Sequence, residues 1–393
     1  MSLDKLTAPD GAQGDLFGDS LALSNSRILV GSVLDDDNGT GSGSAYLYSS
    51  SGSFLQKLTA PDGTPGDRFG DSVALSGGFA VVGSPDNDIL GLSSGSVYVY
   101  DAATGGFQAN YFATDGSPGD QFGHAIAMSG TTALVSSVRD DDNGMDSGSA
   151  YLFDVVTSQL FHKFIAPDGS PGDFFGDSVA LSANYAVVGS PFEDSNGTNS
   201  GAAYLFDVNT GDLLHKLTPN DGSADDLFGE SVAVSNGLVL VGSPQDDDDG
   251  QNSGSAYLFD AVTGQQIRKL TAPDAEAIRF FALSIGFFGN NAVIGSSTDD
   301  DNGPSSGSAY VFDVNTGQLI EKLTAPDGAV GDTFGESVTI SSGAVLIGSP
   351  RDDDQGPDSG SVYLFGIPEP TSATLAAAVL AVLAASVRSR ETT

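Results

Sequence analysis

Apolar and polar positions fall in blocks along this chain. Val179-Ala180-Leu181 and Tyr185-Ala186-Val187-Val188 are nearly continuous runs of small and β-branched residues, separated by little more than Ala183-Asn184. That pattern predicts two buried strands joined by a hairpin turn. Upstream, Phe161 to Ala166 alternates as a half-exposed strand does, and downstream Ala202-Ala203-Tyr204-Leu205-Phe206 is a further apolar run. Pro167 to Asp173 and Pro191 to Ser200, the latter carrying Asn196-Gly197, are dense in turn residues and read as loops. Asn209-Thr210-Gly211 then turns the chain into the next alternating segment.

Versions of this block recur at Phe17, Phe69, Phe122, Phe175, Phe228, Phe281 and Phe334, about one every 53 residues. Four short strands per period without helical periodicity describe a propeller blade. The expected fold is therefore all-β: a seven-bladed β-propeller of four-stranded antiparallel blades over residues 3–365. The inner strands read as wholly apolar, whereas an outermost strand such as Leu213 to Leu217 alternates. A solenoid of the same unit would need polar end caps, and the ends carry none. Instead, Lys5-Leu6-Thr7-Ala8 matches the outer strand of the unit, yet it precedes Phe17. The last unit stops after Ser361 to Phe365 with no outer strand of its own. Residues Leu3 to Ala8 are thus expected beside Val362 to Phe365, closing the ring and removing two open sheet edges.

Phe175-Gly176, Val188-Gly189-Ser190-Pro191 and Ser253-Gly254-Ser255-Ala256-Tyr257-Leu258-Phe259 exemplify motifs that recur together. They resemble the FG-GAP repeat of the integrin α-subunit propeller. Ala166-Pro167-Asp168-Gly169, followed by Gly172-Asp173 and Phe175-Gly176, is similar to the bacterial form of that repeat. The resemblance spans residues 3–365. It implies a seven-bladed propeller, an extracytoplasmic setting, and binding or adhesion rather than catalysis.

The charge narrows the partners. With 52 acidic against 14 basic residues the formal net charge is −38, which excludes nucleic acid as the main partner, since that binding rests on Lys and Arg. It favours cations, basic partners or plain solubility. The regular apolar pattern argues against disorder. There is no cysteine, so thiol chemistry does not place the compartment.

The acidic residues cluster in two kinds of loop, expected on one face of the disc. One follows the second strand and carries Asp35 and Asp37, Asp140 and Asp142, Asp246 and Asp248, Asp299 and Asp301, or Asp352 and Asp354. The other enters the first strand and carries Asp15, Asp67, Asp120, Asp173, Asp226 or Asp332. Oxygen-rich loops containing glycine suit Ca²⁺, and these aspartates are the candidate metal ligands. The spacing does not match an EF-hand. The integrin calcium position, between first and second strands, is here Asn25-Ser26, Gly77-Gly78 or Asn236-Gly237, without a carboxylate. The competing reading is turn chemistry, with Asp accepting local backbone bonds and Asn-Gly supplying positive φ. In the sixth unit Ile278-Arg279 replaces Gly-Asp and Ala282 replaces the glycine after Phe281, so a metal there is not expected.

No catalytic residues are assigned. His124, His162 and His215 read as surface residues, no Ser or Thr forms a nucleophile–base pair, and the Tyr-Leu-Phe runs read as core packing. After Phe365 the composition changes. Gly366 to Pro370 form a linker, Thr371 to Val387 are Ala-rich and uncharged, and Arg388 and Arg390 follow. The uncharged run is slightly shorter than the roughly 20 residues of a membrane span, and the arginines would stay cytoplasmic. Pro368-Glu369-Pro370, an expected C-terminal hydrophobic helix and an Arg cluster resemble the PEP-CTERM sorting signal. That resemblance implies an exosortase-type protease as partner, cleavage near Pro368 to Pro370, passage through the membrane by residues 371–393, and delivery to the cell surface or extracellular matrix. The start, Met1-Ser2-Leu3-Asp4-Lys5, has no apolar leader, so export implies one encoded upstream. The expected function is an exported adhesion or matrix-binding protein with an extracellular protein or glycan ligand. The rival from another class is a surface hydrolase or lyase on the same scaffold.

Overall fold

The computed structural model describes residues 3–24 and 26–366. They form seven four-stranded antiparallel sheets. Blade four runs from the inner strand Val179–Leu181 through Tyr185–Ser190 and Ala202–Asp207 to the outer strand Leu213–Leu217. Inner strands of successive blades touch one another around the ring, and Phe17–Leu23 of the first blade meets Val338–Ile340 of the last.

The closure follows the expected register. Leu3 pairs with Phe365, Asp4 with Leu364, Lys5 with Tyr363 and Leu6 with Val362. Leu6 and Ala8 are buried in a cluster with Phe17, Tyr46 and Val362, which joins the first and last blades. The repeat in the sequence and the blade in space are therefore offset by one strand.

The core lies between blades. Leu134, Leu152 and Phe164 of blade three pack with Phe175, Val188 and Tyr204 of blade four. Second and third strands are buried along almost their full length because a blade covers each of their faces. The innermost strands differ from the expectation of a wholly apolar run. Val179–Leu181 and Phe122–Ser129 mix buried and half-buried positions, because nothing but the central channel lies beyond them.

The recurring motifs sit at blade junctions. Gly43, Gly95, Gly201 and Gly307, each ending an acidic loop, form parallel bridges to Phe69, Phe122, Phe228 and Phe334 of the next blade. Gly43 has φ +78°, and a Cβ there would stand 2.1 Å from the Phe69 carbonyl oxygen, so only glycine fits. Ser20 Oγ donates to the Gly70 carbonyl at 2.7 Å, and the same bond recurs across the closure from Ser337 to Gly18 at 2.6 Å. The phenylalanine sets the tyrosine of its own blade: Phe175 meets Tyr204 edge to face at 5.4 Å.

Candidate functional site

Both acidic loops do lie at one end of the blades, but their carboxylates have separate duties. Asp15, Asp67, Asp120, Asp173, Asp226 and Asp332 are buried. Each accepts the backbone N–H three residues earlier, as Asp15 does from Ala12 at 2.7 Å. Their main-chain carbonyls accept the serine hydroxyl that ends the second strand, Ser32 for Asp15. Burial pushes the carboxyls of Asp15, Asp120 and Asp226 up to about 6. In the sixth blade the Arg279 carbonyl takes over the serine bond, and its guanidinium pairs with Glu276 and Asp300. The turn thus survives without a carboxylate.

The Asp-Asp-Asp loops divide three ways. The middle aspartate caps its own loop: Asp36 accepts from the Gly41 N–H at 2.8 Å, Asp141 from Asp146 and Asp353 from Asp358. The first and third turn to a lysine on the outer strand. In blade three Lys163 Nζ lies 3.0 Å from Asp140, 2.7 Å from Asp142 and 2.8 Å from Asp115 of the entering loop. Lys163 pairs across the ladder with Tyr151. Its ammonium stands 5.0 Å from the Tyr151 ring centre, and the Tyr151 hydroxyl lies 2.9 Å from both Asp115 and Asp140.

The same socket recurs at Lys5 with Asp327, Asp352 and Asp354, and at Lys57 with Asp10, Asp35 and Asp37. It recurs again at Lys269 with Asp221, Asp246 and Asp248, and at Lys322 with Asp274, Asp299 and Asp301. Blade four uses Asp168, Glu193 and Ser195 around Lys216. Burial works against the charges, but the hydrogen bonds and mutual attraction win. Asp10, Asp115, Asp168, Asp221, Asp274 and Asp327 are held below the usual carboxylate value, and the lysines are pushed above theirs.

This donor set does not fit calcium, because the oxygens that would converge on a metal already converge on an ammonium. Among the described residues no group of three or more acidic or histidine side chains is arranged to hold a metal ion. Sequence reading missed the lysines. The available signal was that six outer strands carry Lys opposite the tyrosine, while the seventh carries Asn110 in the one unit with Asn87 in place of the acid.

A second feature also went unread. The residue after Phe-Gly (after Phe281-Ala282 in the sixth blade), as Asp19, Asp71, His124, Asp177, Glu230, Leu283 and Glu336, rings the central channel, a cavity of about 350 Å³. His124 is therefore not an ordinary surface residue: its ring nitrogens lie 3.6 Å from Asp177 and 4.0 Å from Asp71. Burial opposes its charge, yet the pairing with Asp177 and the nearby Asp71 carboxylate raise its pKa. Burial, reinforced by neighbouring carboxylates, pushes Asp19 up to about 7 and Glu230 up to about 8. His162 and His215 lie on outer strands, as expected.

Around the channel mouth on the loop face, equivalent positions carry unlike residues. Arg68 faces Asp86, Gln121 donates to Asp86, Arg139 donates to Gln121, and the Arg139 guanidinium lies 5.4 Å from the Phe174 ring, which meets Phe192. Next to this chain the second blade's loop exposes Ile89, Leu90 and Leu92, and the third exposes Met145. A groove of about 330 Å³ runs between Leu92, Pro118, Gln121 and Arg139.

Seven radial blades, with loops gathered at one end and the first strand closing the last sheet, define a β-propeller. The sequence profile of the FG-GAP repeat matches residues 2–48, 53–100, 106–153, 160–206, 213–259, 265–312 and 318–365. The chain belongs to the FG-GAP repeat family. None of the curated proteins matches it. Pro368, Glu369, Pro370, Arg388 and Arg390 lie outside the described residues.

Proposed function

We propose that this chain is an exported binding protein of the cell surface or extracellular matrix, and that it makes contact through the loop face at blades two to four. The family supports the general class. One observation carries the placement: among seven equivalent loops the second puts Ile89 where five others carry an aspartate and Leu90 where all the others carry Asn, Gln or Asp, and beside them Leu92 is 74% exposed. An exposed apolar group beside Arg68 and Arg139, on a face otherwise crowned with carboxylates, is the composition of a contact site. The ligand is an extracellular protein or glycan. Export proceeds through the Pro368-Glu369-Pro370 segment and its exosortase-type protease.

The test is a binding screen of the folded propeller against matrix proteins and glycans. Leu92→Asp and Arg139→Ala are set beside Gln251→Asp and Arg351→Ala at the equivalent loop positions of blades five and seven. Loss of binding at least tenfold in the first pair alone supports the site; equal loss in both pairs removes it. Turnover of any ligand, abolished by His124→Asn, would favour the hydrolase or lyase reading, which draws on the channel ring. Replacing Pro368-Glu369-Pro370 by alanines is expected to block processing, read as a mass change in the secreted product.

A further inference from the structure

The metal expectation and the lysine sockets collide at the same atoms, and the collision is informative. Lys5, Lys57, Lys163, Lys216, Lys269 and Lys322 are all the lysines of the chain, and each ammonium lies among carboxylates of two different loops. An ammonium bridging three oxygens does what a bound cation does in an acidic loop: it cancels repulsion and ties the entering loop to the acidic loop of the same blade. It is also covalently part of the third loop partner, the outer strand. Six blades thus carry one internal cation apiece.

Blade two supplies an independent observation. There Asn110 stands opposite Tyr98, where the other blades have lysine. The buried acid is replaced by Asn87, and Ile89 replaces the third carboxylate. Asn87 is satisfied without charge, donating to Asp67 at 3.0 Å and accepting from Ser96 at 3.0 Å. Ammonium and buried carboxylate have been lost together. That is the outcome expected if each needs the other, since a buried carboxylate stripped of its cation is strongly destabilising. If a metal ion were the partner, loss of the acid would place no demand on the lysine.

We infer that the lysine ammonium is the resident cation of each acidic socket, that it excludes divalent metal from it, and that the folded propeller is indifferent to calcium. The inference does not depend on which ligand the loop face binds. The experiment is a set of thermal melts of the whole chain and its variants, each with Ca²⁺ and with EDTA. The wild type melts at the same temperature in both. Asn87→Asp lowers the melting temperature by burying a carboxylate without an ammonium, and N87D/N110K recovers most of the loss. A wild-type melt that rises with Ca²⁺ or falls with EDTA overturns the inference, as does an N87D loss that N110K leaves untouched. Should N87D fail to fold, NMR of the wild-type lysine ammonium groups decides. Six slowly exchanging signals unmoved by Ca²⁺ support the assignment, and signals averaged with solvent overturn it.

Discussion

Tyr151 joins two layers of the structure through one side chain. Its ring packs edge-on against Phe122 at 5.4 Å inside the blade junction, while its hydroxyl reaches the Asp115 and Asp140 carboxylates beside Lys163. Burial raises the pKa of that hydroxyl, so it stays a donor. Tyr151→Phe keeps the packing and removes the donor, at a cost of about 1–3 kcal/mol. Phe122→Ala keeps the donor and opens the junction, at a cost of about 3–5 kcal/mol. Urea unfolding of the two variants checks the order: a larger loss for Tyr151→Phe would mean that the socket, not the packing, dominates. The aromatic core was legible from the apolar runs, because an unbroken apolar run marks a strand covered on both faces. What lies over the polar tip of Tyr151 was not, because Asp115 is 36 residues away and arrives only when the blade folds.

The N-terminal strand is the element on which the ring depends. Leu3–Leu6 supplies the outer strand of blade seven, the apolar contacts of Leu6, and the Lys5 ammonium for Asp327, Asp352 and Asp354. Removing residues 1–8 exposes the backbone edge of Ser361–Gly366 and leaves three carboxylates without their cation. The truncated chain is expected to melt at a clearly lower temperature and to associate through the open edge. Size-exclusion chromatography with light scattering reads this directly, and a monomer with the parent melting temperature would contradict it. A free peptide spanning residues 2–9 should restore part of the loss. This element was readable from sequence because the repeat left one strand spare at the start and one missing at the end.

Across the whole molecule, acidic groups pull stability in opposite directions with pH. Asp19 is raised to about 7, Glu230 to about 8, and Asp15, Asp120 and Asp226 to about 6. The unfolded chain releases these protons first, so their contribution is full below about pH 4 and falls as pH rises toward about 8. His124 acts in the same sense: its raised pKa gives stability that is present below its unfolded value and lost as pH rises through the folded one. The socket aspartates, held low, oppose this: their contribution is present above the unfolded value of 3.8 and lost as pH falls through the folded one. Lysine pairing persists below 10.5 and fades only as pH rises through the raised values. The melting temperature is therefore expected to be higher at pH 5 than at pH 8, with the fall concentrated between them. Glu230→Gln and Asp19→Asn should flatten that fall; a profile that rises from pH 5 to pH 8 would contradict the assignment.

The chain by itself determined the number of blades, the identity of the strands, the closure and the turn residues. All of these are local patterns repeated at a fixed spacing. Only the folded ring decided what each carboxylate serves. Whether Asp140 meets a metal, water or Lys163 depends on strands 23 residues apart coming side by side. Whether His124 is open to solvent or enclosed by Asp71 and Asp177 depends on seven inner strands meeting around one axis.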